Sequence, residues 1–219
     1  MKSYYRGEHA ARYNRTWKTF LQRTLDAACT MIDVEWLQQK AQTRQRPLRI
    51  LDTACGTGLL LERLLRLFPS AELYGIDASA DMLAQAHLLL QGASNVHLSQ
   101  GSLTGDATAG FSYPSAFFDL ITCTNALHYL QEPVVVLKRF RDLLVEQGQL
   151  VLEDYVLRGN PLLWKKVEWA IRIYDPEHRS LFSKAEAQRL CQLAGLQVVA
   201  AQTFPIGLFC QGWTMRAIS

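Results

Sequence analysis

The chain has no C-x-x-C pair. Its five cysteines, Cys29, Cys55, Cys123, Cys191 and Cys210, are scattered and odd in number. That argues against a metal site of the zinc type and against a disulfide framework, and points to free thiols in a reducing cytoplasm. No long apolar run occurs. Stretches such as Val134 to Leu137 are far too short to span a membrane. Met1-Lys2-Ser3-Tyr4-Tyr5-Arg6 lacks the apolar core of a signal peptide. Charge of one sign is missing too: a net +3 is too small to argue for a nucleic-acid partner. The densest basic stretch, Arg44, Arg46 and Arg49, reads as a solvated linker, with an anion or RNA contact as the alternative. There are no repeats and no low-complexity segment. What remains is 219 residues, 49% hydrophobic, with a mean hydropathy of −0.03, enough for one soluble globular domain with a sizeable core. The oligomeric state is not legible here.

What is present begins at Ile50-Leu51-Asp52-Thr53-Ala54-Cys55-Gly56-Thr57-Gly58. This reads as a buried strand, a glycine turn and a helix from Leu59 to Leu67. Tyr74-Gly75-Ile76-Asp77 reads as the next strand, ending in a carboxylate. A turn without side chains lets a ligand press on the backbone beside the free N–H groups of a helix start. An acid at the neighbouring strand tip can take two ribose hydroxyls. The pattern therefore describes a cofactor containing a nucleoside. It is not the dinucleotide G-x-G-x-x-G, because the third glycine would fall at Leu61 or at Leu59. Leu61 thus argues against a nicotinamide oxidoreductase. Nor is it a P-loop, since no Gly-Lys-Ser/Thr follows.

Asp52-x-Ala54-x-Gly56-x-Gly58 resembles the first motif of the class I S-adenosylmethionine (SAM)-dependent methyltransferases, with Ala54 where family members usually have glycine. The interval from Gly58 to Asp77 (77 − 58 = 19) also matches. Phe118 to Leu130 looks like the family's fourth strand and following turn, Leu143 to Leu152 its helix-to-fifth-strand segment, and Phe182 to Leu196 its C-terminal segment. By pattern the chain is most similar to ubiquinone/menaquinone-biosynthesis-like small-molecule methyltransferases. The resemblance implies an α/β, Rossmann-like, doubly wound seven-stranded sheet, mostly parallel with an antiparallel last strand.

The patterning agrees. A helical cap is expected over 1–46, with one helix from Ala11 to Ile32 and a second from Asp33 to Lys40. A SAM-binding core over 47–156 alternates strands at Leu48–Asp52, Glu72–Asp77, Val96–Gln100, Phe118–Thr124 and Gln149–Tyr155 with helices at Leu59–Leu67, Asp81–Leu90 and Pro133–Val145. Ser79 is expected to cap the second of these helices. A covering segment over 157–182 breaks the alternation and is expected to act as a lid. In 183–219, Ser183-Lys184-Ala185-Glu186 reads as a capping box before a helix ending at Gly195, followed by strands Leu196–Thr203 and Leu208–Ile218.

By the resemblance, Asp52, Gly56 and Gly58 face the methionine end of the cofactor, Ala54 belongs to the same cofactor-binding turn, and Asp77 holds the ribose. Ala78 and Met82 flank the adenine, Ser102 stands where the family often has an adenine-binding acid, and Leu103 packs on the base. Thr124 and Asn125 sit at the fourth strand's tip, beside the expected methyl group, or cap the turn. His128 and His178 are the candidate catalytic groups, since imidazole suits proton removal near neutral pH. His128 is also read as a residue that only packs on or hydrogen-bonds the loop. Tyr13 either closes over the cofactor or belongs to its helix's apolar stripe. Trp17, Trp164, Trp169 and Tyr174 form an apolar pocket or simply core. No metal is expected. The expected function is methyl transfer from SAM to a small molecule, with a non-catalytic SAM-binding module as the alternative. The signatures of base, pyrimidine-carbon and arginine methylation are absent.

Overall fold

The computed structural model describes residues 5–103, 113–159, 164, 168–169, 171–173, 175 and 177–219. Tyr174, a candidate pocket aromatic, lies outside them. Seven strands form one sheet in the order β3-β2-β1-β4-β5-β7-β6. They are β1 Arg49–Thr53, β2 Glu72–Asp77, β3 Val96–Gln100, β4 Phe118–Thr124, β5 Leu144–Leu157, β6 Gln197–Pro205 and β7 Cys210–Ile218. The first five pair in parallel. β7 is antiparallel to both neighbours, β5 and β6. β1 and β4 are buried on both faces, which is why their sequences are runs of Ile, Leu, Thr and Cys rather than alternations. Helices α1 Gly7–Thr16, α2 Lys18–Met31, α3 Val34–Arg44, α4 Leu59–Leu67, α5 Ala80–Leu89, α6 Pro133–Leu143 and α7 Lys184–Leu193 accompany the sheet.

Two buried clusters cover its faces. Leu25, Leu37, Leu61, Leu64 and Leu73 belong to one, Phe118, Phe140, Leu152, Trp213 and Met215 to the other. Ser79 caps α5 by accepting from Met82 N, and Ser183 and Glu186 form the reciprocal capping box of α7. No helix among the described residues is long and apolar enough to cross a membrane.

Three local expectations are corrected. The helix expected over Ala11–Ile32 is two helices, parting at Trp17. They have different partners: α1 packs on α5, whereas α2 lies across β5 and β7. The helix expected to reach Val145 stops at Leu143, because Leu144 already pairs with Phe118 at a register shift in β5. Arg44 and Arg46 are not a solvated linker. Arg44 Nη1 reaches Asp119 Oδ1 at 2.6 Å, and Arg46 bonds both oxygens of that carboxylate at 2.8 and 3.0 Å. The Arg49 backbone N–H adds a fourth bond at 2.9 Å, and its guanidinium lies over Phe117. The basic stretch is a clamp on a fully buried aspartate at the amino edge of the sheet.

Candidate active site

At the carboxyl edge, β1 runs into the turn 54–58 and β2 ends at Asp77. Between them opens a cavity of about 530 Å³. Its lining includes Asp52, Ala54, Gly56, Asp77, Ala78, Met82, Ser102, Leu103, Thr124, Asn125 and Tyr13, so the residues chosen for the cofactor converge, with one exception. Gly58 is not on the wall. It adopts φ +82°, and a Cβ there would stand 3.0 Å from Leu90 and 3.1 Å from Ala86. Its lack of a side chain serves the approach of α4 to α5 rather than room for the methionine end. Gly58→Ala is therefore expected to lower stability by about 2 kcal/mol, from left-handed strain and overpacking. Urea unfolding checks it, and a loss below about 0.5 kcal/mol would contradict this account.

Gly56, by contrast, lines the cavity at φ +55°, and Ala54 holds φ +54° despite its Cβ. The Gly56 N–H donates to Asp77 Oδ2 and the Ser79 N–H to Oδ1, both at 2.8 Å. This fixes the carboxylate between the two loops at the cavity wall. Burial raises the Asp77 pKa, and the backbone N–H groups oppose the rise. Asp52 accepts from Thr122 Oγ1 at 2.7 Å. Burial pushes its pKa up to about 7, Thr122 counteracts and Asp77 adds to the rise.

Helix α1 is strapped across this edge by bonds that the sequence did not disclose. Asn14 Oδ1 accepts from Thr57 Oγ1 at 2.6 Å and Asp81 Oδ2 from Gly7 N at 2.9 Å, while Ser79 Oγ donates to Tyr5 O. Tyr5 and Tyr13 both line the cavity, and burial raises the Tyr13 pKa to about 12, so both hydroxyls stay neutral.

His128 and His178 do not line this cavity among the described residues. His128 is buried, with Nδ1 2.8 Å from Asp154 Oδ1 and its backbone N–H on Oδ2 at 3.0 Å. The two imidazole rings stand 5.2 Å apart. Burial lowers the His178 pKa, and His128 adds to the shift. The aromatic pocket reading is corrected: Trp169 is 68% and Trp17 42% exposed, and Trp164 packs on the hydrophobic core instead. Tyr129, which donates to Asp175 at 2.6 Å and meets the Tyr5 hydroxyl at 2.5 Å, was missed. So was Glu153, fully buried with neither oxygen bonded among the described residues. Burial, followed by the neighbouring Asp154, raises its pKa well above normal. The adjacent acids Glu153-Asp154 inside an otherwise apolar strand were the signal available for Glu153.

The profile of a family described as "methyltransferase domain" matches residues 14–201, and the chain belongs to that family. The chain is 26% identical over 171 residues to the methyltransferase YcgJ of Bacillus subtilis, covering 77% of this chain and 64% of YcgJ. It is 28% identical over 159 residues to the ubiquinone biosynthesis O-methyltransferase of Aeromonas salmonicida, covering 68% and 63%. The chain thus spans less than two thirds of these curated relatives. The crystal structure of YcgJ superposes with a TM-score of 0.65 at 21% identity, covering 78% of this chain and 92% of that one. Family and sheet order together define a class I SAM-dependent methyltransferase domain.

Proposed function

We propose that this chain transfers the methyl group of SAM to a small-molecule acceptor in the cytoplasm. The observation that carries the reading is the single cavity wall bearing Asp52, the Gly56 backbone and Asp77 in one array. The residues fit the cofactor: Asp77 offers a carboxylate to a ribose, Asp52 an acid to the cationic methionine end, and Met82, Ser102 and Leu103 line the same cavity for the base. Bound there, SAM supplies a methyl group on an excellent leaving group, so the protein's task is alignment and exclusion of water. Tyr5, Tyr13 and the strapped α1 perform the exclusion. His128 acts by position: fixed by Asp154, it accepts the N–H groups of Arg179 and Ser180 on its carbonyl, at 2.9 and 3.2 Å, and so places Arg179 at the cavity. The name of the Aeromonas salmonicida relative supports a small acceptor.

The test is a metabolite screen for release of S-adenosylhomocysteine. Turnover with a small molecule supports the reading. A chain that binds SAM, leaves it unchanged with every candidate and binds a protein partner instead would be a non-catalytic module.

The raised Asp52 pKa predicts a pH dependence. The acid is neutral below about pH 7, so its attraction for an ammonium grows as pH rises through that value. SAM should bind more tightly at about pH 8 than at about pH 6. The ligand-free protein should move the other way. A carboxyl raised from 3.8 to about 7 contributes stability that is complete at low pH and lost as pH rises through about 7. Calorimetry at the two pH values checks the sign, and affinity that is flat or falls with pH contradicts it.

A further inference from the structure

A second cavity lies beside the first, lined by Gln131, Arg172, His178 and Ser180 among others, and Leu130 and Arg179 line both. Its polar lining is rich in donors. His178 is 1% exposed, and neither of its ring nitrogens has a hydrogen-bond partner among the described residues. A neutral imidazole carries one N–H and a charged one two, so a buried donor here has no acceptor, which is costly. Arg179 is exposed, lines both cavities and makes no ion pair among the described residues. Three nearby carboxylates are already engaged: Asp154 holds His128, Asp175 accepts from Tyr129, and Glu168 accepts from Leu181 N at 2.6 Å. A fourth, Glu177, lines the first cavity but not the second. Arg172 donates from its guanidinium to the Arg179 carbonyl and lines the second cavity with it.

We infer that this second cavity binds an acidic group of the acceptor, a carboxylate or a phosphate, on Arg179, His178 and Arg172, while the methyl-accepting part of the same molecule lies in the first cavity. The inference rests on the methyl-transfer reading above. A planar guanidinium and an imidazole N–H converging on one space match an oxyanion's lone pairs, and charge-assisted bonds of this kind orient as well as attract. Because Arg179 borders both cavities, an acid anchored there sets which end of the acceptor reaches the donor methyl. Inorganic phosphate and succinate are the probes. Protein saturated with S-adenosylhomocysteine is titrated with each, followed by calorimetry and by the imidazole NMR resonances of His178.

The expected result is a saturable shift of His178 in the millimolar range, weakened about tenfold in Arg179→Gln and also weakened in Arg172→Gln. The tighter of the two probes tells whether phosphate or carboxylate is the preferred group. The S-adenosylhomocysteine isotherm is recorded in the same samples. If the product itself fails to bind, the methyl-transfer reading falls. If it binds and neither anion moves His178, or both variants respond as the wild type does, the anion subsite alone is overturned.

Discussion

Replacing Asp77 with alanine is expected to weaken S-adenosylhomocysteine binding by about 10- to 150-fold, the equivalent of about 1.5–3 kcal/mol for bonds to a charged acceptor. The carboxylate stands at the junction of three things: the cavity, the Gly56 N–H and the Ser79 N–H. Its loss removes the ribose acceptor and also frees the turn to move. Asp77→Asn separates the two effects. An amide oxygen can still accept one backbone N–H, so the asparagine protein should keep more of the wild-type thermal stability than the alanine protein while still binding the product more weakly. Affinity unchanged within about twofold in Asp77→Ala would remove this residue from the cofactor site.

Asp119→Ala is expected to destabilise the fold by about 3 kcal/mol. The side chain is fully buried and joins three pieces of chain: the end of α3 through Arg44, the following connection through Arg46, and the start of β1 through Arg49 N. Deleting it leaves two guanidiniums without their acceptor. Both are about one quarter exposed, 27% and 26%, and can turn to water, which holds the effect to the lower part of the range for broken buried pairs. Arg44→Ala and Arg46→Ala should each cost less, since the remaining arginine still neutralises the acid. The clamp sits at the amino edge, opposite the cavity, so product affinity per folded molecule should persist. A urea midpoint within error of the wild type would show the clamp to be dispensable.

Much of the architecture was legible because local pattern and tertiary role coincide. β2, β3, β4 and α4 have the bounds read from the patterning. The turn at Gly56 and the acid at Asp77 were readable for the same reason: a ligand pressed on a backbone demands those residue types. Other features depend on partners distant in sequence. The break at Trp17 follows from what α1 and α2 each touch. The role of Arg44 and Arg46 depends on Asp119, more than 70 positions away. Spacing alone does not say which way the Cα of Gly58 faces, so its packing against α5 could not be separated from a place in the pocket. The second cavity was illegible as well, because His178 and Arg179 come near the first through bonds to the carbonyl of His128 and ring contacts with His128 and Tyr129, far away in sequence.

β7 is hydrogen-bonded on both sides, and among the described residues β6 pairs with no other strand. It carries Trp213, Met215 and Ala217 into the core. It is also the last strand of the sheet to leave the ribosome. Until it emerges, β5 has an unpaired, mostly apolar edge from Gln149 to Leu157, and β6 has nothing to join. An edge of that kind invites pairing with other chains, and closure must wait for long-range contacts that form slowly. The nascent protein therefore passes through a stage in which β1 to β4 can already pair while one edge of β5 is still open.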